Sequence, residues 1–149
     1  MTPEQRSAIL AILQEASDLT LATVRSDGWP QANTVSYVND GLDVYFGTSG
    51  ESSKARNMTR EGRVSATIDL PYSEWSQIRG LSFAAVAERV AGADQLARVS
   101  SLILQKFPQT GDFVGSDMTE GLAVFRLRPV VFSILDYRRG FGWCELVQA

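Results

Sequence analysis

Apolar positions near the start of the chain fall at helical spacing. Ile9, Leu10, Ile12, Leu13 and Ala16 form one stripe, Thr2 can cap it, Pro3 suits the first helical position, and Gln5 completes a capping box. This predicts an N-terminal helix within residues 1–17, packed on the rest of the molecule as a lid. From Leu19 the period shortens. Leu19 to Arg25, Pro30 to Val38 and Leu42 to Phe46 read as strands, separated by Ser26-Asp27-Gly28 and Asn39-Asp40-Gly41. Asp-Gly between β-type runs is a strong hairpin signal, so the three runs are expected to form an antiparallel meander. Ser52 to Arg60 reads as a short helix and Arg63 to Asp69 as a fourth strand. Gln77 to Val90 is a long curved strand with Gly80 as a bend or point of close approach. A second long helix is expected from an Asp94 cap, carrying Leu96, Val99, Leu102, Ile103 and Phe107 on one face. A loop from Gln109 to Gly121 then leads to strands at Leu122 to Leu127 and Val130 to Tyr137, and a last apolar run lies near Trp143 to Val147.

Six or so antiparallel strands with peripheral helices most economically close into a barrel, because closure removes exposed edges. The expected class is therefore mainly β, a barrel with helices around it, and an open α+β sandwich is the alternative. A length of 149 residues fits one domain spanning 1–149, and 44% apolar with 21% charged residues is an ordinary globular composition. Cys144 is the single cysteine, so no internal disulfide is expected. MTPEQRSAIL lacks the cationic and long apolar regions of a signal peptide, which leads to the expectation of a cytoplasmic protein. No apolar run reaches spanning length, and a net charge of −3 argues against a broad nucleic-acid surface, so neither membrane nor nucleic acid is expected as a partner. Histidine is absent from the sequence. That removes Ser/His/Asp and Cys/His nucleophile systems and most imidazole-ligated zinc sites, so any chemistry must come from elsewhere.

Gly47-Thr48-Ser49-Gly50-Glu51-Ser52-Ser53-Lys54-Ala55-Arg56-Asn57 joins an expected strand to an expected helix. A helix N-terminus offers free N–H groups and about half a positive charge, which favours a phosphate. Thr48, Ser49, Ser52 and Ser53 add hydroxyls, while Lys54 and Arg56 add full charges. The segment is not a Walker A loop, since Ser53 and Ala55 flank the lysine, and it lacks the G-x-G-x-x-G pattern of dinucleotide-binding folds. The plainer reading, a capped surface helix with solvated charges, fits these residues equally well.

The succession T-L-A-T-V-R-S-D-G-W-P-Q-A-N-T-V-S-Y-V, D-G-L-D-V-Y-F-G-T-S, S-S-K-A-R-N, G-R-V-S-A-T-I-D and R-G-L-S-F-A-A-V-A-E-R-V resembles the pyridoxamine 5′-phosphate oxidase-like flavin-binding split barrels, and F-R-L-R-P-V-V-F-S-I-L-D resumes the match. The resemblance implies a six-stranded antiparallel split barrel, a homodimer, and one FMN at each of two subunit interfaces. It implies that Thr48, Ser52, Ser53 and Lys54 bind the phosphate, with Ser49 adjacent and Asn57 as a support. Asn33, Thr34, Val35 and Ser36 would run along the isoalloxazine edge, and Trp143 lies near a stretch that often reaches the partner subunit's flavin. FMN would supply redox chemistry without any imidazole.

The expected function is thus an FMN-dependent oxidoreductase on a small molecule, with a nicotinamide such as NAD(P)H as a possible donor. The true oxidases share an Arg-x-His element near the C-terminus. Here that stretch reads D-Y-R-R-G-F-G-W, so pyridoxamine phosphate is not the expected substrate. Heme-degrading relatives lean on histidine to hold iron, which also disfavours that activity. The alternatives are binding of the deazaflavin F420 through the same loop, or a non-catalytic flavin-binding or redox-sensing dimer. Asn33 and Ser36 as outward polar positions, Trp143 as interface packing, and Arg138 and Arg139 as an exposed charge pair are the plainer readings of those residues. No metal site is expected.

Overall fold

In the computed structural model, which describes residues 1–112 and 121–149, one curled antiparallel sheet of eight strands carries three α-helices. Helix α1 (Pro3–Glu15) starts at Thr2, whose hydroxyl accepts from the Gln5 N–H while the Gln5 side chain accepts from the Thr2 N–H, as the capping box requires. Its Ile9, Ile12 and Leu13 are buried in the main core.

Strands β1 (Asp18–Val24) and β2 (Pro30–Ser36) form one hairpin, and β3 (Val38–Asp40) and β4 (Asp43–Ser49) form another. Gly28 at φ +85° and Gly41 at φ +60° occupy the turns, a conformation that glycine adopts without steric cost. The expected meander does not form. β2 ends at Ser36, the chain breaks at Tyr37, and β4 pairs with a much later strand instead of with β2.

Helix α2 (Ser53–Arg60) follows β4, then β5 (Arg63–Asp69) and β6 (Arg79–Arg89). A Cβ at Gly80 would lie 2.9 Å from the Ile68 carbonyl oxygen, so the close approach anticipated there is real. Helix α3 (Ala93–Lys106) is capped by Gly92, with Asp94 one position inside the first turn. Asp94 therefore complements the helix dipole and does not cap.

The last strands are β7 (Leu122–Asp136) and β8 (Cys144–Gln148). Two strands, Leu122 to Leu127 and Val130 to Tyr137, were expected where β7 runs as one, although Pro129 lacks a ladder donor. Pro129 pairs with Ala85 at the register shift between Ala84 and Ala85, where an irregular ladder absorbs the missing N–H. Residues 113–120 of the expected Gln109 to Gly121 loop lie outside the described residues.

The sheet order is β2-β1-β5-β6-β7-β4-β3, with β8 on β7. Its two end strands, β2 and β3, are therefore consecutive in the chain and joined through Tyr37 alone. One residue spans only about 3.5 Å, so the sheet must curl until its two ends meet. Tyr37 holds that seam: its N–H donates to Ser17 O at 3.2 Å and its hydroxyl to Leu13 O at 2.9 Å. The result is a split half-barrel, mainly β, with more strands than the six expected. The main core lies within the curl, and a smaller cluster of Val38, Tyr45, Val90 and Val99 sits beneath α3. Among the described residues, no helix is long and apolar enough to cross a membrane.

Candidate anion cradle and strand edge

The end of β4 and the start of α2 build a cradle from local bonds. Ser52 caps α2, its hydroxyl accepting from Ala55 N–H at 3.3 Å and lying 3.1 Å from Thr48 Oγ1. The Ser52 N–H donates to Ser49 O, the Glu51 N–H to Ser49 Oγ, and the Gly50 N–H to Gly121 O at 2.8 Å. These bonds consume the donors of the turn up to Ser52. The next two, the N–H groups of Ser53 and Lys54, have no acceptor among the described residues. The amides and the helix dipole at such a helix start both favour negative charge, which makes it a candidate anion site.

Charge reinforces it. Helix α2 reads SKARNMTR, three cations and no carboxylate, within a chain of net charge −3. The nearest acid beyond its far end is Glu61, which Arg63 grips through both oxygens at 2.9 Å, pulling its pKa down to about 2. Arg56 is turned back onto the loop, donating to Glu51 O at 2.9 Å, so Lys54 is the cation left at the helix start with Ser53. Thr48, Ser52 and Lys54 are half-buried, and Ser49 and Ser53 are exposed.

The four β2 positions do not act as one surface. Along a strand successive side chains face opposite ways, and here Asn33 and Val35 are half-buried while Thr34 and Ser36 are exposed. Ser36 is occupied, donating to Asp18 Oδ1 at 2.6 Å. What the four residues share is the strand edge. β2 is terminal in the sheet, so alternate backbone N–H and C=O groups point away from β1 with no strand among the described residues to receive them.

Cradle and edge are linked by residues that the sequence reading did not connect. Asn57, buried on α2, donates to Thr23 Oγ1 at 3.0 Å and to Gln31 Oε1 at 3.2 Å, and Gln31 in turn donates to Asn33 Oδ1 at 2.9 Å. The sequence offered Asn57 as a support implied by the resemblance, and Gln31 through nothing more than its shared parity with Asn33 on one strand. A second feature left unread is Arg89 at the end of β6, whose Nη2 lies 3.9 Å from where a Cβ on Gly50 would stand.

Trp143 is elsewhere. Cys144 beside it pairs with Leu135 at one end of β7, whereas Ser49 of the cradle pairs with Leu122 at the other, roughly 40 Å along the strand at about 3.3 Å per residue. Within one chain Trp143 does not meet the cradle. It is half-buried against the main core, with the Arg139 guanidinium 3.8 Å above its ring. Arg138 and Arg139 are both exposed, as in their plainer reading, and Arg138 donates to Asp136 at 2.8 and 2.7 Å.

A curled antiparallel sheet with a cationic helix N-terminus at one mouth defines a split-barrel protein with an anion cradle. The chain belongs to the pyridoxamine 5′-phosphate oxidase family, whose model matches residues 6–135. No curated protein matches it. Among solved structures it is similar to a heme binding protein from Mycobacterium smegmatis at 23% identity and TM-score 0.83, covering 99% of this chain and 59% of that one. The chain thus spans little more than half of that protein. It is also similar to a conserved hypothetical protein from Mycobacterium tuberculosis, at 24% identity and TM-score 0.79 over 93% of this chain and 87% of that one. An F420 reductase matches at 22% identity and TM-score 0.64, covering 82% and 93%. At these identities the likeness is one of fold.

Proposed function

We propose that this protein binds FMN, as a homodimer, and serves as an oxidoreductase on a small molecule other than pyridoxamine 5′-phosphate. The observation that carries the reading is the pair of N–H groups at Ser53 and Lys54, unclaimed among the described residues, opening a helix with three cations and no carboxylate. Bound FMN would supply hydride and electron transfer. The chain's own residues do the rest. The Ser53 and Lys54 amides, the Lys54 ammonium and the Thr48, Ser52 and Ser53 hydroxyls hold the phosphate, with Ser49 fixing the turn beneath them. The free edge from Asn33 to Ser36 offers backbone donors and acceptors to the ring system and so orients it. No side chain acid or base is demanded of a chain that lacks histidine.

A second copy is supported by the outer sheet face, where Ala22, Ala84, Val86, Val130 and Leu146 lie among small polar residues as a broad apolar surface. Since Trp143 is remote from its own cradle, a role beside the flavin requires that it come from the partner copy. The F420 alternative draws support from Arg89 beside Gly50, a further cation for a longer anionic tail. Heme fits less well, because these 149 residues contain no histidine to ligate iron.

Titrating FMN and riboflavin into the purified protein tests the reading, because the two differ only by the phosphate. FMN binds tighter by at least about tenfold, the worth of one charge-assisted hydrogen bond. Equal affinity overturns the cradle. Anaerobic bleaching of bound flavin by NAD(P)H marks an oxidoreductase, and failure to bleach marks a carrier or sensor. Sustained turnover of pyridoxamine 5′-phosphate would show the excluded substrate to be the true one.

A further inference from the structure

Asn57 is the one buried polar residue of α2; Ser53, Arg56, Thr59 and Arg60 are exposed. A buried amide is unfavourable unless its polar atoms are satisfied, and here they are. Its Nδ2 donates at 3.0 Å to Thr23 Oγ1 on β1 and at 3.2 Å to Gln31 Oε1 on β2, and its Oδ1 accepts from Arg60 at 3.4 Å. Gln31 passes the connection on to Asn33. One carboxamide therefore ties the helix that opens at the cradle to two different strands, and through Gln31 to the residue that begins the flavin edge.

The other buried residues of α2, Ala55 and Met58, pack without direction, and apolar packing alone lets a short helix slide on a sheet. Paired hydrogen bonds to two strands fix both its height and its rotation. Lys54 precedes Asn57 by three residues, one turn of the same helix, so whatever fixes Asn57 also fixes the cradle.

We propose that Asn57 is the positioning residue of the cofactor site: with Gln31 it sets the span between the anion cradle and the β2 edge, and thereby makes the site specific for a flavin whose phosphate hangs at that span. The proposal rests on the flavin reading, and its test separates the two.

The variants are Asn57→Asp, which keeps the shape and loses both donors, and Gln31→Ala, which leaves the Asn57 to Thr23 bond and the cradle in place. In each, the preference for FMN over riboflavin falls by about tenfold, the equivalent of one lost charge-assisted bond, although every cradle residue is intact. Riboflavin affinity changes less. A residue that served stability alone would lower both affinities together, and an unchanged preference in folded Gln31→Ala overturns the proposal.

Inorganic phosphate provides the readout that needs no flavin. In the wild type its addition shifts the amide resonances of Ser53 and Lys54 and also those of Asn33, while in Gln31→Ala the Asn33 shift is lost. Shifts confined to the cradle in the wild type overturn the positioning role. If the wild type binds neither flavin but transmits phosphate binding to Asn33, the flavin reading fails and the strut stands.

Discussion

Helices α2 and α3 both lie against the curled sheet, and they are held by opposite means. α2 is eight residues long, capped by the Ser52 side chain, and pinned through Asn57 to β1 and β2. α3 is fourteen residues long, starts at Gly92 with no side-chain cap, and buries Val99 alone among its residues. Its seat is apolar, with Leu96, Leu102, Ile103 and Phe107 packed on Val38, Tyr45 and Val90. Its Arg98 to Asp40 pair is solvent-exposed and worth little, since such pairs typically contribute about 0 to 1 kcal/mol. A helix that only covers a core can be held by area. A helix that presents its N-terminus to a ligand must be held by bonds with direction.

The largest expected effect is at the polar anchor. Asn57→Leu leaves Thr23 Oγ1 and Gln31 Oε1 without their donor inside the protein, and denaturant unfolding should show a loss of about 2 to 3 kcal/mol. A loss under about half a kcal/mol would mean that α2 is held by packing after all, and the contrast with α3 would collapse. Next comes Val99→Ala, which removes two buried methyl groups from the seat of α3 and should cost about 2 kcal/mol. FMN affinity should be untouched, because α3 takes no part in the cradle.

The caps sharpen the contrast further. Ser52→Ala should cost about 1 kcal/mol of stability, while Gly92→Ser, placed where a Cβ meets nothing within 4 Å, should gain a few tenths of a kcal/mol by supplying the missing cap. Thermal melts of both variants check the signs.

A pH dependence at the end of α3 is a further check. Lys106 lies with its ammonium 3.9 Å over the Tyr37 ring and donates to Leu13 O, and burial lowers its pKa to about 8 from 10.5, with Asp18 opposing the shift. A lysine whose folded pKa is lowered binds its proton less readily than in the unfolded chain. Between about pH 8 and 10 the unfolded state therefore holds more protons, and stability rises with pH. Above pH 10 the sign reverses through Tyr37, whose pKa is raised by burial, because the unfolded tyrosine ionises first. Lys54 and Lys106 are the two lysines in the sequence, so Lys106→Met should erase the rising limb, and its persistence would assign that limb to other groups.

Much of this contrast was legible in the sequence, and the missing parts share a cause. Local signals worked: the Thr2 capping box, the two Asp-Gly turns and the Ser52 cap are settled within a few residues of chain. Long-range pairing was not legible. The hairpin signals predicted β1 with β2 and β3 with β4, but nothing local said that Tyr37 would divide the middle strand and send β4 to pair with β7. The stretch from Leu122 to Tyr137 was expected as two strands, whereas β7 continues past Pro129 with Val130 as an extra residue in its ladder with Ala84 and Ala85, a pairing set by a distant strand. The same holds for the site. The cradle residues from Thr48 to Lys54 are contiguous and could be named. Gln31 could not, because its role depends on Asn57, which is 26 residues away in sequence and adjacent only after folding.

The central claim is that the start of α2 holds the phosphate of a flavin cofactor, and calorimetric titration of FMN into wild type and Lys54→Ala tests it most directly. Loss of the ammonium should weaken binding by about 1.5 to 3 kcal/mol, roughly ten- to 150-fold in Kd, with riboflavin affinity unchanged. Equal Kd values for FMN in the two proteins would contradict the account.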